Sequence, residues 1–232
     1  AQGCSSGLHF GLPCLAMAAL TLEEALELRD PSPAAMVACA NTLADSDADP
    51  WDVAEIFEKL REWLRRDVGL AQRLLSGARL QSTIVSALKR HGANLEVARL
   101  GTGAVAGSCQ RSPQNADLML KAGVVQEIHG IMDMHRDDTI AQDNACVALW
   151  RLAERHGAAA EQIVAGGGLE RLQRAMEDHG HNPFVQVNAC MAMERLYVRG
   201  GAPAEGMKAA AEKAMLLHPS NTQIKRGARR LL

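Results

Sequence analysis

At 232 residues the chain is long enough to bury a sizeable core as one domain or one solenoid. Its formal net charge of -2 supplies no global field for nucleic acid or an anionic membrane surface, so neither is expected as a partner. Aromatic residues make up only 3% while Ala, Leu, Met and Gly abound, which argues against a β-sandwich or barrel and for closely packed helices.

Residues 1 to 20 contain Gly, Ser and Cys and are weakly patterned. The apolar run from Leu8 to Leu20 is interrupted by Pro13, lacks a basic flank and is shorter than the ~18 residues of a membrane span. A cytoplasmic location is favoured, and a chain that starts at Ala1 also admits a processed organellar protein. Thr21-Leu-Glu-Glu24 is a capping box that opens a short helix to about Leu28, stopped by Asp30-Pro-Ser-Pro33. Ser32 before Pro33, and Asp49 before Pro50, are N-caps with proline at the first helical position. The second of these leads into Val53, Ile56, Phe57, Leu60 and Leu64 at helical spacing. A connecting helix around Leu70 to Leu75 runs to Gly77, another carries Leu80, Ile84 and Leu88, and Asn94 starts the next long helix.

From there the chain repeats itself. Ile140–Leu152 and Phe184–Leu196 are near copies offset by 44 residues. Asn94, Asp138 and Asn182 share that offset, as do His91, His135 and His179, while Asn221 and His218 follow 39 residues later. Leu88, Met132, Met176 and Met215 form an apolar column, with Ile84, Ile128 and Leu172 as a second. Each unit reads as a connecting helix, a break at glycine (Gly77, Gly123, Gly167), a second helix, a capped turn and a long third helix. The expected fold is all-α: a right-handed solenoid of about four units of ~44 residues. Residues 1–34 would be an N-terminal segment with a capping helix, and 35–232 the repeat domain.

The third helices carry a family resemblance. Gln142, Ala145, Ala148, Leu149, Leu152 and Ala153, and again Val185, Gln186, Ala189, Ala192 and Leu196, resemble the Val-Gln-x-x-Ala-x-x-Ala-Leu-x-Asn-Leu-Ala pattern of armadillo repeats. Met132-Asp-Met-His135 and Met176-Glu-Asp-His179 are similar to the units of large scaffold kinases and armadillo-only proteins. The resemblance implies a protein-binding role. It departs at one place: where importin-type and catenin-type relatives hold a peptide with a ladder of Asn, this chain has Trp63, Gly107, Arg151 and Arg195.

Reactive constellations are weak. Gly101-Thr-Gly103-Ala-Val-Ala-Gly107 resembles a dinucleotide loop but falls where a third helix belongs, so close helix packing is the better account. Neighbouring rungs lie ~8–10 Å apart, too far for a His column to share one ion, so no metal or other cofactor is implied. No catalytic motif is found, and an enzyme is not expected. Six cysteines, Cys4, Cys14, Cys39, Cys109, Cys146 and Cys190, show no CxxC and read as reduced and buried. Lys225, Arg226, Arg229 and Arg230 suit a solvated face at the end of a last helix, with a contact to acidic protein as the alternative.

Binding is expected on the concave face, on the stripe beside the core stripe of each third helix. This assigns Asn144, Val147, Arg151 and Arg155 in one unit, Asn188, Met191, Arg195 and Arg199 in the next, and Trp63 at the first rung. Arginine repeated on adjacent rungs suits an acidic segment of a protein partner. Two function classes follow: a non-enzymatic scaffold or adaptor that grips a protein segment in the groove, or a structural subunit fixed in a larger assembly.

Overall fold

The computed structural model describes residues 19–154, 156–201 and 205–232. Among them it shows fourteen α-helices and no strand. Four triplets follow one another: α1 (Leu22–Glu27), α2 (Pro33–Ala44) and α3 (Pro50–Arg66); α4 (Val68–Gly77), α5 (Leu80–His91) and α6 (Leu95–Cys109); α7 (Pro113–Lys121), α8 (Val124–Met134) and α9 (Thr139–Ala153); α10 (Gly157–Ala165), α11 (Gly168–Asp178) and α12 (Pro183–Gly200). A pair, α13 (Glu205–Leu217) and α14 (Thr222–Ala228), follows them. No helix among the described residues is long and apolar enough to cross a membrane.

The caps that start these helices are those of the sequence. Thr21 and Glu24 form a full capping box, and Ser32, Asp49, Asn94, Asp138, Asn182 and Asn221 each accept a backbone N–H of the first turn. Each such bond satisfies a donor that the helix itself leaves unpaired, and replacing a cap by Ala typically costs ~1 kcal/mol. Asp138 also ion-pairs with Arg99 of the preceding rung at 2.5 Å, and this bond, with the cap, holds its carboxyl below the usual carboxylate range.

The glycine break needs correction in one unit. Gly123 and Gly167 hold the left-handed conformation that turns the first helix into the second, with φ of 87° and 76°. The residue 44 positions before Gly123 is Arg79, which adopts the same conformation at φ 54°, while Gly77 is the last residue of α4. A non-glycine residue pays a steric cost there, so a search for glycine alone misplaces the turn by two residues.

Packing follows the columns. Third helices α3, α6, α9, α12 and α14 stack one on the next, and second helices α2, α5, α8, α11 and then α13 stack alongside. Ile84, Ile128 and Leu172 are fully buried, as are Ala104, Ala148 and Ala192 on the third helices. Met215 departs from its column and is half-buried. The low-aromatic composition is explained here, because small alanines let neighbouring rungs approach.

The histidine column ties the rungs together. The imidazole Nε2 of His135 donates to the carbonyl of Gly92 at 2.7 Å, that of His179 to Arg136 at 2.9 Å and that of His218 to Gly180 at 2.8 Å. Each acceptor lies in the turn just past the second helix of the preceding unit, so each ring closes one inter-repeat hydrogen bond.

Candidate functional site

The glycine-rich segment lies inside α6, and its glycines face two ways. Gly101 is buried; a Cβ there would strike Leu88 and come within 2.8 Å of Phe57. Gly103 and Gly107 lie on the other side, beneath side chains of α3: a Cβ at Gly103 would sit 2.6 Å from Arg61 Nε, and one at Gly107 would sit 3.1 Å from Leu64. The glycines therefore lower one rung of the concave surface.

A cleft of about 440 Å³ results. Gly103, Ala106 and Gly107 form its floor, Arg61, Leu64 and Arg65 of α3 one wall, and Asn144, Val147 and Arg151 of α9 the other. No carboxylate lines it among the described residues. Burial, and then the neighbouring charge of Arg65, push the Arg61 guanidinium below its ordinary value. Among the described residues, neither Arg61 nor Arg65 has a carboxylate at ion-pair distance. Arg151 stacks over Trp150, 3.8 Å from the ring centroid, and approaches Glu154 at 3.4 Å.

A second cleft of about 440 Å³ lies further along the groove, lined by Asn188, Met191 and Arg195 of α12, by Trp150, and by Arg226 and Arg230 of the C-terminal α14 region. It differs by containing Glu194, a buried carboxylate that accepts from Arg230 at 2.7 Å. Trp150 Nε1 and Arg195 Nε are buried N–H groups with no acceptor among the described residues.

The structure thus brings together Asn144, Val147 and Arg151 in one cleft, and Asn188, Met191 and Arg195 in the next. The two asparagines are committed to neighbouring rungs: Asn144 donates to the Arg99 carbonyl at 2.8 Å, and Asn188 to Asp143 Oδ1 at 2.7 Å. Arg199 is exposed but lines neither cleft, and Arg155 lies outside the described residues. Trp63 must be corrected. It is fully buried, with its indole N–H donating to the Leu28 carbonyl at 3.3 Å, because α1 covers α3 where later rungs leave the stripe open. Arg61 and Arg65 were missed, since they lie two positions to either side of Trp63 on α3; Arg226 and Arg230 belong to the C-terminal basic cluster, whose alternative reading is a contact with acidic protein, and they line the same cleft as Arg195.

Of the cysteines, Cys39, Cys109, Cys146 and Cys190 are buried and unlinked, and burial raises every one of these thiols above its usual range, three of them to about 12. Cys4 and Cys14 lie outside the described residues.

Comparison with solved structures decides the fold. The chain superposes on a designed armadillo repeat protein, YIII(Dq)4CqI, with a TM-score of 0.70 at 18% identity, over 94% of this chain and 88% of that one. The fold is an armadillo-like repeat solenoid. This armadillo-like solenoid also superposes on two engineered proteins, structural-genomics targets OR366 and OR329, with TM-scores of 0.68 and identities of 17% and 18%, over 90% of this chain and 87% and 85% of those. No family model and no curated protein matches its sequence.

Proposed function

We propose that the chain is a non-enzymatic protein-interaction module that grips an acidic protein segment in the groove along α3, α6, α9, α12 and α14. The observation that supports this is the clustering of six arginines around two clefts that contain one carboxylate between them. Guanidinium groups offer fork-shaped donors matched to carboxylates, and desolvated ones gain most from an incoming anion. Asn144, Val147, Asn188 and Met191 supply the walls, and Arg151 and Arg195 the inner charges. Rungs ~8–10 Å apart suit an extended chain advancing ~3.3 Å per residue, so side chains about three residues apart meet successive rungs.

The test uses exposed arginines that have no ion-pair partner among the described residues. Arg65→Glu with Arg226→Glu should cost under ~0.5 kcal/mol each, yet abolish calorimetric binding of a glutamate-rich decapeptide that the parent protein binds. Equal binding by the double variant overturns the groove.

A second reading, a subunit held permanently in a larger assembly, draws on Trp51, Ile140 and Phe184. These are large apolar side chains at the second position of third helices, 68%, 54% and 67% exposed. Aromatic and apolar side chains left in water at repeating positions suit a permanent partner. Size-exclusion chromatography of native extract separates the readings: recovery only in a large complex selects the assembly subunit.

A further inference from the structure

The two clefts have similar volumes but differ in electrostatic balance. In the second, Glu194 already occupies Arg230 and approaches Arg195 at 3.9 Å. The first has three guanidinium groups and no carboxylate among its described lining residues; of the three, Arg151 alone has a described carboxylate at ion-pair distance, Glu154 at 3.4 Å from outside the lining. Arg61 and Arg65 are one helical turn apart on α3, so they share a face and repel each other. Arg151 reaches in from α9, its guanidinium plane fixed by the Trp150 ring. Between them the floor is bare, since Gly103 and Gly107 carry no side chain and Ala106 carries only a methyl.

A single carboxylate brings one negative charge to this trio. A phosphoryl group brings close to two charges and three acceptor oxygens on one compact tetrahedral centre, and it accepts from several arginines at once. We propose that the cleft over α6 is a phosphate-reading subsite of the groove, taking a phosphorylated side chain of the bound segment among Arg61, Arg65 and Arg151. This rests on the groove-binding reading and narrows its partner to a phosphorylated protein segment. The glycines are then specificity residues: a side chain at 103 would fill the space through which the phosphoryl group reaches Arg61.

The experiment compares three decapeptides that differ at one central residue, phosphoserine, serine or glutamate, in an otherwise identical background, with inorganic phosphate as a fourth probe. Binding is followed by calorimetry at low salt. The parent protein should bind the phosphoserine peptide about tenfold or more tighter than the other two, a gap the size of one lost charge-assisted contact. Arg61→Gln with Arg65→Gln should erase that gap, and Gly103→Leu should erase it without removing a charge. Lys89→Gln, at an exposed position of α5 that lines neither cleft, should leave it intact. Thermal melts of each variant check folding, and the glutamine pair keeps the test decisive should Gly103→Leu not fold.

A phosphoserine preference that survives in the glutamine pair overturns the proposal. Inorganic phosphate binding as tightly as the phosphopeptide overturns it too, since the site would then serve a free anion. If the glutamate-rich decapeptide is lost in the Arg65→Glu, Arg226→Glu variant while no peptide shows a phosphate gap, the subsite falls and the groove stands. If no acidic peptide binds, both fall.

Discussion

The triplet α4–α6 and the triplets α7–α9 and α10–α12 share one 44-residue frame, yet they are finished differently. The later two place glycine at the left-handed turn, and each holds its second turn with a glutamine: Gln142 donates to the carbonyls of Met132 and His135, and Gln186 to those of Met176 and His179. The earlier triplet has Arg79 at the turn and Ala98 in place of the glutamine. It uses another set of bonds: Gln72 donates to the carbonyls of Gly107 and Gln110, while Gln81 and Ser76 both meet Asn115 of the next unit. The caps and the apolar columns are common to all three, and histidine bonds join each to the next. The exposed stripe of the third helix instead runs Gly103 and Gly107, then Val147 and Arg151, then Met191 and Arg195. The comparison teaches that buried and turn positions hold the solenoid, leaving the groove free to differ from rung to rung.

The largest expected break in this pattern is at acid pH. Val85, His129 and Gln173 share one register, and only the third unit has a buried titratable ring there. His129 packs against Gly166 and Gly168, and burial, reinforced by Arg171 and opposed by Asp133 and Glu170, lowers it to about 4. Because the folded value lies below the ordinary ~6.5, the unfolded chain takes up a proton first, and stability falls as pH drops from ~6.5 to ~4. The loss is on the order of 3 kcal/mol. His129→Val should flatten this limb in urea midpoints measured across the window, leaving the smaller slope of His91, whose value burial and Arg90 also lower.

Gly101→Ala comes next. Alanine improves helix propensity by ~1 kcal/mol, but its methyl would strike Leu88 and Phe57, and such overpacking costs ~1–3 kcal/mol. A net loss in calorimetric Tm is expected, while Gly107→Ala, facing only a movable Leu64, should hold or raise Tm. The smallest effect sharpens the comparison at the turn: Arg79→Gly relieves a left-handed residue whose strain is ~1–2 kcal/mol and returns part of that as backbone entropy. The urea midpoint should rise slightly, whereas Gly123→Ala should lower it.

Much of the frame was legible because it is local. A cap needs one side chain and the two or three N–H groups beside it, so Asn94, Asp138 and Asn182 could be placed from sequence alone. A buried column needs only spacing, which is why Ile84, Ile128 and Leu172 were found. The groove was less legible because exposure depends on the neighbouring rung. Trp63 shares its register with Arg151, but α1 lies over it. Arg61 enters the cleft only because α6 opposite it lacks side chains at Gly103 and Gly107, a pairing between residues some forty apart. Arg79 was hidden for the opposite reason, since its backbone contradicts its residue type.

The histidine bonds between rungs carry a consequence for how such a chain is extended. A unit that presents a turn carbonyl to its successor and a ring N–H to its predecessor is acceptor on one side and donor on the other. A 44-residue module that carries both is its own connector. Copying it lengthens the stack without designing a new joint, and a shift of one residue between histidine and turn would break the joint while sparing the helices on either side. Growth by whole modules, with the count of rungs free and the phase between them fixed, is therefore written into a bond that no single unit can make alone.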